Sequence, residues 1–189
     1  MNITPSLFKY NLGHLMIDLE TMGKGSNSAI VSIGAVEFDL QSGATGVEFY
    51  EKVDLQSCLN LGLKVNASTI FWWMMQSEAA RKEICKKGVP LQSALINFRD
   101  FMAILKKDVQ TWGNGARFDL GILEDAYDEC GYDETPWGFR FERDVRTLVS
   151  FAPAIKDHYP FTGTEHNPID DCHYQIGYCS AIWNKLNTK

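Results

Sequence analysis

The chain reads as an α/β protein, a mixed five-stranded sheet flanked by helices. Three observations predict it. Three strand-like stretches come first, joined by turn residues. Helical and strand patterns then alternate to the C-terminal end. Of the 189 residues, 45% are apolar and 12% aromatic, enough for a large core in one domain over residues 1–189.

The elements follow in order. Residues 1–13 read as a loose leader, and residues 14–18 as the first strand. Ala29 to Phe38 is a long, mostly apolar second strand, closed by the turn residues Asp39-Leu40-Gln41-Ser42-Gly43. Val47 to Val53 alternates as a third, so the three form an antiparallel meander. Ser68 is placed to cap a helix from Thr69 to Lys87, broken by Gly88-Val89-Pro90. A second helix fits Leu91 to Lys106, with Leu91, Leu95, Phe98, Met102 and Leu105 on one stripe. Val109 to Gly113 is a short strand. The helix after it, Arg117 to Cys130, ends at Gly131, the usual C-terminal residue. Phe139 to Val145 is the fifth strand, and a short helix with Leu148 and Phe151 stops before Pro153. The last helix runs from Pro168 to Leu186, with proline in its first turn.

Composition removes several classes of function. The cysteines are Cys58, Cys85, Cys130, Cys172 and Cys179, an odd count without C-x-x-C. That argues against a disulfide framework or a thiolate zinc site. No apolar run approaches the ~20 residues of a membrane span. The first residues lack the apolar core of a signal peptide, so a cytoplasmic location and no membrane partner are expected. A net charge of −6 disfavours a passive, charge-driven nucleic-acid binder. It is compatible with an enzyme that gathers acids in one cleft. Two bound divalent cations would offset four such charges and attract phosphate.

Candidate chemistry begins at Asp18-Leu19-Glu20, at the end of the first strand. Residues i and i+2 of a strand share a face, so the two carboxylates stand side by side and repel. A hard divalent cation with oxygen ligands answers that repulsion. Asn114-Gly115-Ala116-Arg117-Phe118-Asp119 puts Asp119 at a helix start, just beyond a strand's carboxyl end. A dipole-favoured aspartate is the plainer alternative there. His166-Asn167-Pro168-Ile169-Asp170-Asp171 opens the last helix, with the same alternative for both aspartates and a solvated loop residue for the histidine.

Together these segments resemble the motif set of the DnaQ-like superfamily, in its DEDDh branch with the ribonuclease-H-like fold. D-x-E matches Asp18 to Glu20 and continues with Thr21; N-x-x-x-F-D matches Asn114 to Asp119; H-x-x-x-x-D matches His166 to Asp171. The stretch His14 to Gly23, with Ala67-Ser68-Thr69-Ile70-Phe71-Trp72-Trp73, is most similar to small phage and prophage exonucleases labelled exonuclease VIII-like. A bacterial 3′–5′ exoribonuclease group is also similar.

The resemblance implies a metal-dependent 3′–5′ exonuclease that releases nucleoside 5′-monophosphates from DNA or RNA. Two Mg²⁺ or Mn²⁺ ions would be held by Asp18, Glu20, Asp119 and Asp171. Asp18 would bridge them, Glu20 and Asp171 would serve the nucleophile side, and Asp119 the leaving-group side. His166 would be the general base, a role that imidazole suits near neutral pH. Asp171 is preferred over Asp170 on its spacing from His166.

The implied partner is the 3′ end of single-stranded DNA or RNA, contacted by Thr21, Met22, Asn114 and Trp73. A homodimer stays open. Adjacent on a helix, Trp72 and Trp73 are not expected to share a face; one is core and the other stacks on a base. Arg140, Arg143 and Arg146 are candidates for phosphate contact or a solvated face. Gly23-Lys24-Gly25-Ser26 lacks the upstream glycine of a phosphate loop. Two rival classes remain: a non-catalytic nucleic-acid-binding or interaction module that keeps the fold, and a zinc hydrolase. The second is disfavoured, because the four histidines lack zinc spacing.

Overall fold

The computed structural model describes residues 12–115 and 117–188; the leader's residues 1–11 fall outside these. Strands β1 (His14–Thr21), β2 (Ile30–Phe38) and β3 (Thr45–Lys52) form the antiparallel meander that their patterns predict. β4 (Gln110–Gly113) joins β1 in parallel, and β5 (Glu142–Asp144) joins β4 in parallel. The sheet order is β3-β2-β1-β4-β5.

All nine residues of β2 are buried, as expected of a strand covered on both faces. β1 shows the division of faces. Leu15, Ile17 and Leu19 enter one core, with α4 (Leu91–Met102) and α5 (Asp119–Glu129). Met16 enters the other, with Cys172, Ile176, Cys179 and Ile182 of α8 (Pro168–Asn187). Asp18 and Glu20 share the parity of Met16, so they stand on the α8 face.

Gly34 of β2, opposite Asp18, lets α8 come close: a Cβ there would lie 2.6 Å from Pro168 Cβ. This bare patch brings the start of α8 down onto the sheet. A register shift between Glu20 and Thr21 marks the end of β1, a common device beside active sites.

Several boundaries differ from the sequence reading, for local reasons. The helix expected over residues 69–87 is two, α2 (Ala67–Met74) and α3 (Glu78–Ile84). Ser77 divides them, because its hydroxyl accepts the Ala80 N–H and caps a new helix. α2 starts after Asn66 rather than Ser68. α4 stops at Met102, leaving Leu105 beyond its end. The predicted strand 139–145 shrinks to β5 after a 3₁₀ turn, because Asp144 caps α6 (Val145–Ser150) by accepting the Thr147 N–H. Two six-residue helices were not anticipated, α1 (Leu55–Asn60) and α7 (Pro153–His158). Among the described residues no helix is long and apolar enough to cross a membrane.

Candidate active site

Three parts of the chain converge at the carboxyl ends of β1 and β4, where ligand sites of open α/β sheets lie. β1 carries Asp18 and Glu20, the turn after β4 carries Asn114 and leads to Asp119, and the start of α8 brings His166 and Asp171. Asp18, Glu20, Asn114, His166 and Asp171 line one cleft of about 720 Å³, and Asp119 backs it from α5. Ala116 of the second motif lies outside the described residues.

Each acid is held differently. Asp119, 1% exposed, accepts the Leu19 N–H at 3.1 Å and the Asn114 N–H at 2.7 Å, so it ties β1 to the turn after β4. Asp18 Oδ1 accepts a 2.7 Å bond from Gln175 Nε2. Glu20 is buried. Glu20, His166 and Asp171 each place a ligand-capable atom so that all lie within 4.8 Å of one another. Asp170 turns away: its Oδ2 accepts the Thr164 N–H at 2.8 Å and closes the loop before the helix.

Gathering these groups raises their proton affinity. Burial, then Asp119, Glu20 and Asp171, pushes the Asp18 carboxyl well above the ordinary carboxylate range. Burial followed by the Asp171 and Asp119 charges raises Glu20 to about 9. Burial raises Asp119 and Asp171 to about 6, against the backbone N–H bonds each accepts. One opposing cation is Lys52, buried on the same face through the Glu20–Ser32–Lys52 pairing row. Burial lowers it to about 8. Four converging carboxyl groups that raise one another's proton affinity are a donor set for hard divalent cations. The residues fit such ions.

His166 is the one non-glycine with positive φ among the described residues, at 63°. That left-handed backbone marks a constrained position. Its ring packs edge-on against Trp72 and Trp73, with centroids 4.8 and 5.7 Å away.

The expected substrate contacts divide. Thr21 and Asn114 line the cleft. Trp73 also lines the cleft, but it is 2% exposed, and its indole N–H donates to the Thr21 carbonyl at 3.0 Å. Trp72, 40% exposed, is the available ring at the cleft. Nor do the two indoles part company as expected of neighbours on a helix. Their centroids are 4.9 Å apart and both meet His166, since long rings reach across the angle between adjacent residues. Met22 is a core methionine, and its backbone N–H and carbonyl are bonded to Ala29 and Asn66.

Of the three arginines, Arg146 lines the cleft. Arg143 donates to the carbonyls of Arg140 and Glu142, and Arg140 lies over the Phe139 ring. Lys24 lines the cleft without a phosphate loop around it. The sequence reading missed Tyr174, Gln175 and Tyr178, which line the cleft with Asp171. Their spacing of three, four and seven residues after Asp171 is a helical stripe that could have found them. Lys156, also in the lining, sits on the unanticipated α7 and had no such signal.

The sheet order is that of a ribonuclease-H-like fold, with an acid-lined cleft at the carboxyl ends of β1 and β4. Residues 13–183 match the family model of the 3′–5′ exoribonuclease Rv2179c-like domain, and the chain belongs to that family. It is thus a 3′–5′ exonuclease, as the motifs imply. It is similar to an exodeoxyribonuclease of Enterobacteria phage T4, 29% identical over 168 residues, covering 75% of this chain and 73% of that one.

Among solved structures, the nuclease domain of 3′hExo, a DEDDh family member bound to rAMP, has a TM-score of 0.65. Identity is 10%, and 94% of each chain is covered. E. coli exonuclease I in complex with a dA16 oligonucleotide has a TM-score of 0.64 at 12% identity, over 92% of this chain and 42% of that one. The chain therefore spans about two fifths of exonuclease I. At these identities the structures speak for the fold.

Proposed function

We propose that this chain, as one exonuclease domain, removes nucleoside 5′-monophosphates from the 3′ end of single-stranded DNA or RNA. It does so with two divalent cations, Mg²⁺ or Mn²⁺, and a histidine base. The observation that carries this reading is the meeting of Glu20, His166 and Asp171 within 4.8 Å, beside Asp18 and Asp119. Asp18, Glu20, Asp119 and Asp171 would hold the ions. A bound ion pair supplies charge stabilisation to the attacking and leaving oxygens of phosphodiester hydrolysis.

The chain's own groups do the rest. His166 takes the proton of the attacking water, and Trp72 and Trp73 hold its ring in place. Arg146, Lys156 and Lys24 place positive charge along the cleft of an otherwise acidic chain, where a strand's phosphates would run. Trp72 offers a stacking face that is indifferent to sequence and to the sugar. The relatives' names include both a ribonuclease and a deoxyribonuclease, which favours a cleft open to both strands. Neither the described residues nor the relatives support the homodimer. A non-catalytic module is disfavoured because all five chemical groups are present. The deciding experiment is a time course on matched 3′- and 5′-labelled DNA and RNA strands with Mg²⁺, Mn²⁺ or EDTA. Release of labelled mononucleotide from the 3′ end, abolished by EDTA, is the expected result. Full activity in EDTA overturns the two-ion reading.

Metal should also stabilise the fold in a pH-dependent way. The folded pKa values of Asp18, Glu20, Asp119 and Asp171 all lie above their unfolded values near 4. The folded apo-protein therefore binds more protons than the unfolded chain, and its stability falls as pH rises from about 4 towards about 9. Bound cations relieve the repulsion that causes this. The rise in Tm on adding Mn²⁺ should be larger at about pH 8 than at about pH 5, by scanning calorimetry. Equal rises at both pH values would contradict it.

The adjacent aspartates separate cleanly. Asp171→Asn should lower kcat by about 10²-fold or more, as loss of a charged ligand implies several kcal/mol. Asp170→Asn should keep most activity, because an asparagine oxygen can still accept the Thr164 N–H. Single-turnover cleavage of both variants checks this. The reverse ranking would put Asp170 at the ions.

A further inference from the structure

α8 presents Asp171, Tyr174, Gln175 and Tyr178 to the cleft on one stripe. Gln175 stands apart from the others. It is 2% exposed, yet it reaches across from α8 to β1 and donates from Nε2 to Asp18 Oδ1 at 2.7 Å. Asp18 Oδ2 accepts no such bond among the described residues. Gln175 Oε1, also buried, has no hydrogen-bond partner among the described residues. A buried amide satisfied at one end only is a defect that folding alone selects against, and such defects gather at functional sites.

The chemistry of an amide suits this place. A lysine or arginine would hold Asp18 more strongly, but its charge would oppose a cation. A carboxamide fixes one oxygen of Asp18 without neutralising the carboxylate. Partners of this kind around metal ligands orient the ligand and commonly change affinity or rate by 10–100-fold when removed.

We infer that Gln175 is a positioning residue of this active site, holding Asp18 in the orientation that receives divalent cations. The inference rests on the proposed assignment of Asp18 as a metal ligand. It adds that a residue of the last helix outside the three motifs sets the geometry of the first.

The test uses Gln175→Met, close in size and without a donor, with Mn²⁺ titration calorimetry and steady-state kinetics on a 3′-labelled strand. Mn²⁺ affinity should fall roughly 10-fold and kcat roughly 10–100-fold, with KM unchanged within about threefold. A purely structural role predicts a lower Tm with Mn²⁺ affinity and kcat preserved in the folded protein, and that result overturns the inference. If Gln175→Met does not fold, Gln175→Leu, also apolar and without a donor, is read instead. An unchanged kcat there overturns the inference too, because its side chain cannot donate to Asp18. The parent protein separates the two readings. If it binds no Mn²⁺, the metal assignment itself fails. If it binds Mn²⁺ and the variants match it, only the role of Gln175 fails.

Discussion

Asp18→Asn should abolish Mn²⁺ binding and hydrolysis together while leaving the apo-protein at least as stable as the parent. Asp18 is one of the four acids that would hold the ions, and the charges of the other three all bear on it, so neutralising it weakens the whole donor set. A loss of ~4 kcal/mol of charge stabilisation corresponds to about 10³-fold in rate, and a larger fall is expected. The stability arm follows from the raised pKa of Asp18, which burial and the other three acids cause. At about pH 8 ionising this group works against the fold, and asparagine removes that penalty at any pH. Gln175 can still face the new side chain through the asparagine oxygen. Two measurements check it: Tm in EDTA, unchanged or raised, and Tm gained on adding Mn²⁺, reduced to near zero. Kinetics within a few-fold of the parent would show that Asp18 is not a metal ligand.

Asp18 was legible because it depends only on strand parity. Once Leu15, Ile17 and Leu19 enter one core, Asp18 and Glu20 must leave it on the other face. The mixed five-stranded sheet was legible for a related reason, since long apolar strands, turn residues and helical stripes are local signals. What escaped depends on neighbours far away in sequence. Trp73 is held by the Thr21 carbonyl, 52 residues distant, and no local pattern says which of two adjacent indoles that carbonyl will take. Met22 looks like a cleft residue from its place after the acids, but the end of β1 turns it into the core. Gln175 lies within a stripe that reads equally well as ordinary core packing until β1 is set opposite it. The break at Ser77 was hidden because a capping hydroxyl outweighs helical preference over a single residue. α1 and α7 are too short to show a period.

His166→Ala should slow hydrolysis by roughly 10²–10⁴-fold, the usual contribution of a general base. Mn²⁺ affinity should change little, because His166 is assigned as base rather than ligand. The geometry makes this a demanding test: a ring nitrogen within 4.8 Å of Glu20 and Asp171 oxygens is also placed where a ligand could be. The backbone needs its own control. At φ 63° alanine is strained whereas asparagine tolerates the left-handed region, so a deficit caused by loop distortion would be milder in His166→Asn. A deficit caused by the missing base would be the same in both. Calorimetric Mn²⁺ titration paired with single-turnover cleavage across pH separates the outcomes. Metal affinity falling in step with rate would make His166 a ligand. Neither falling would make it a loop residue whose packing against Trp72 and Trp73 serves structure alone, and the DEDDh-type mechanism would then lack its base.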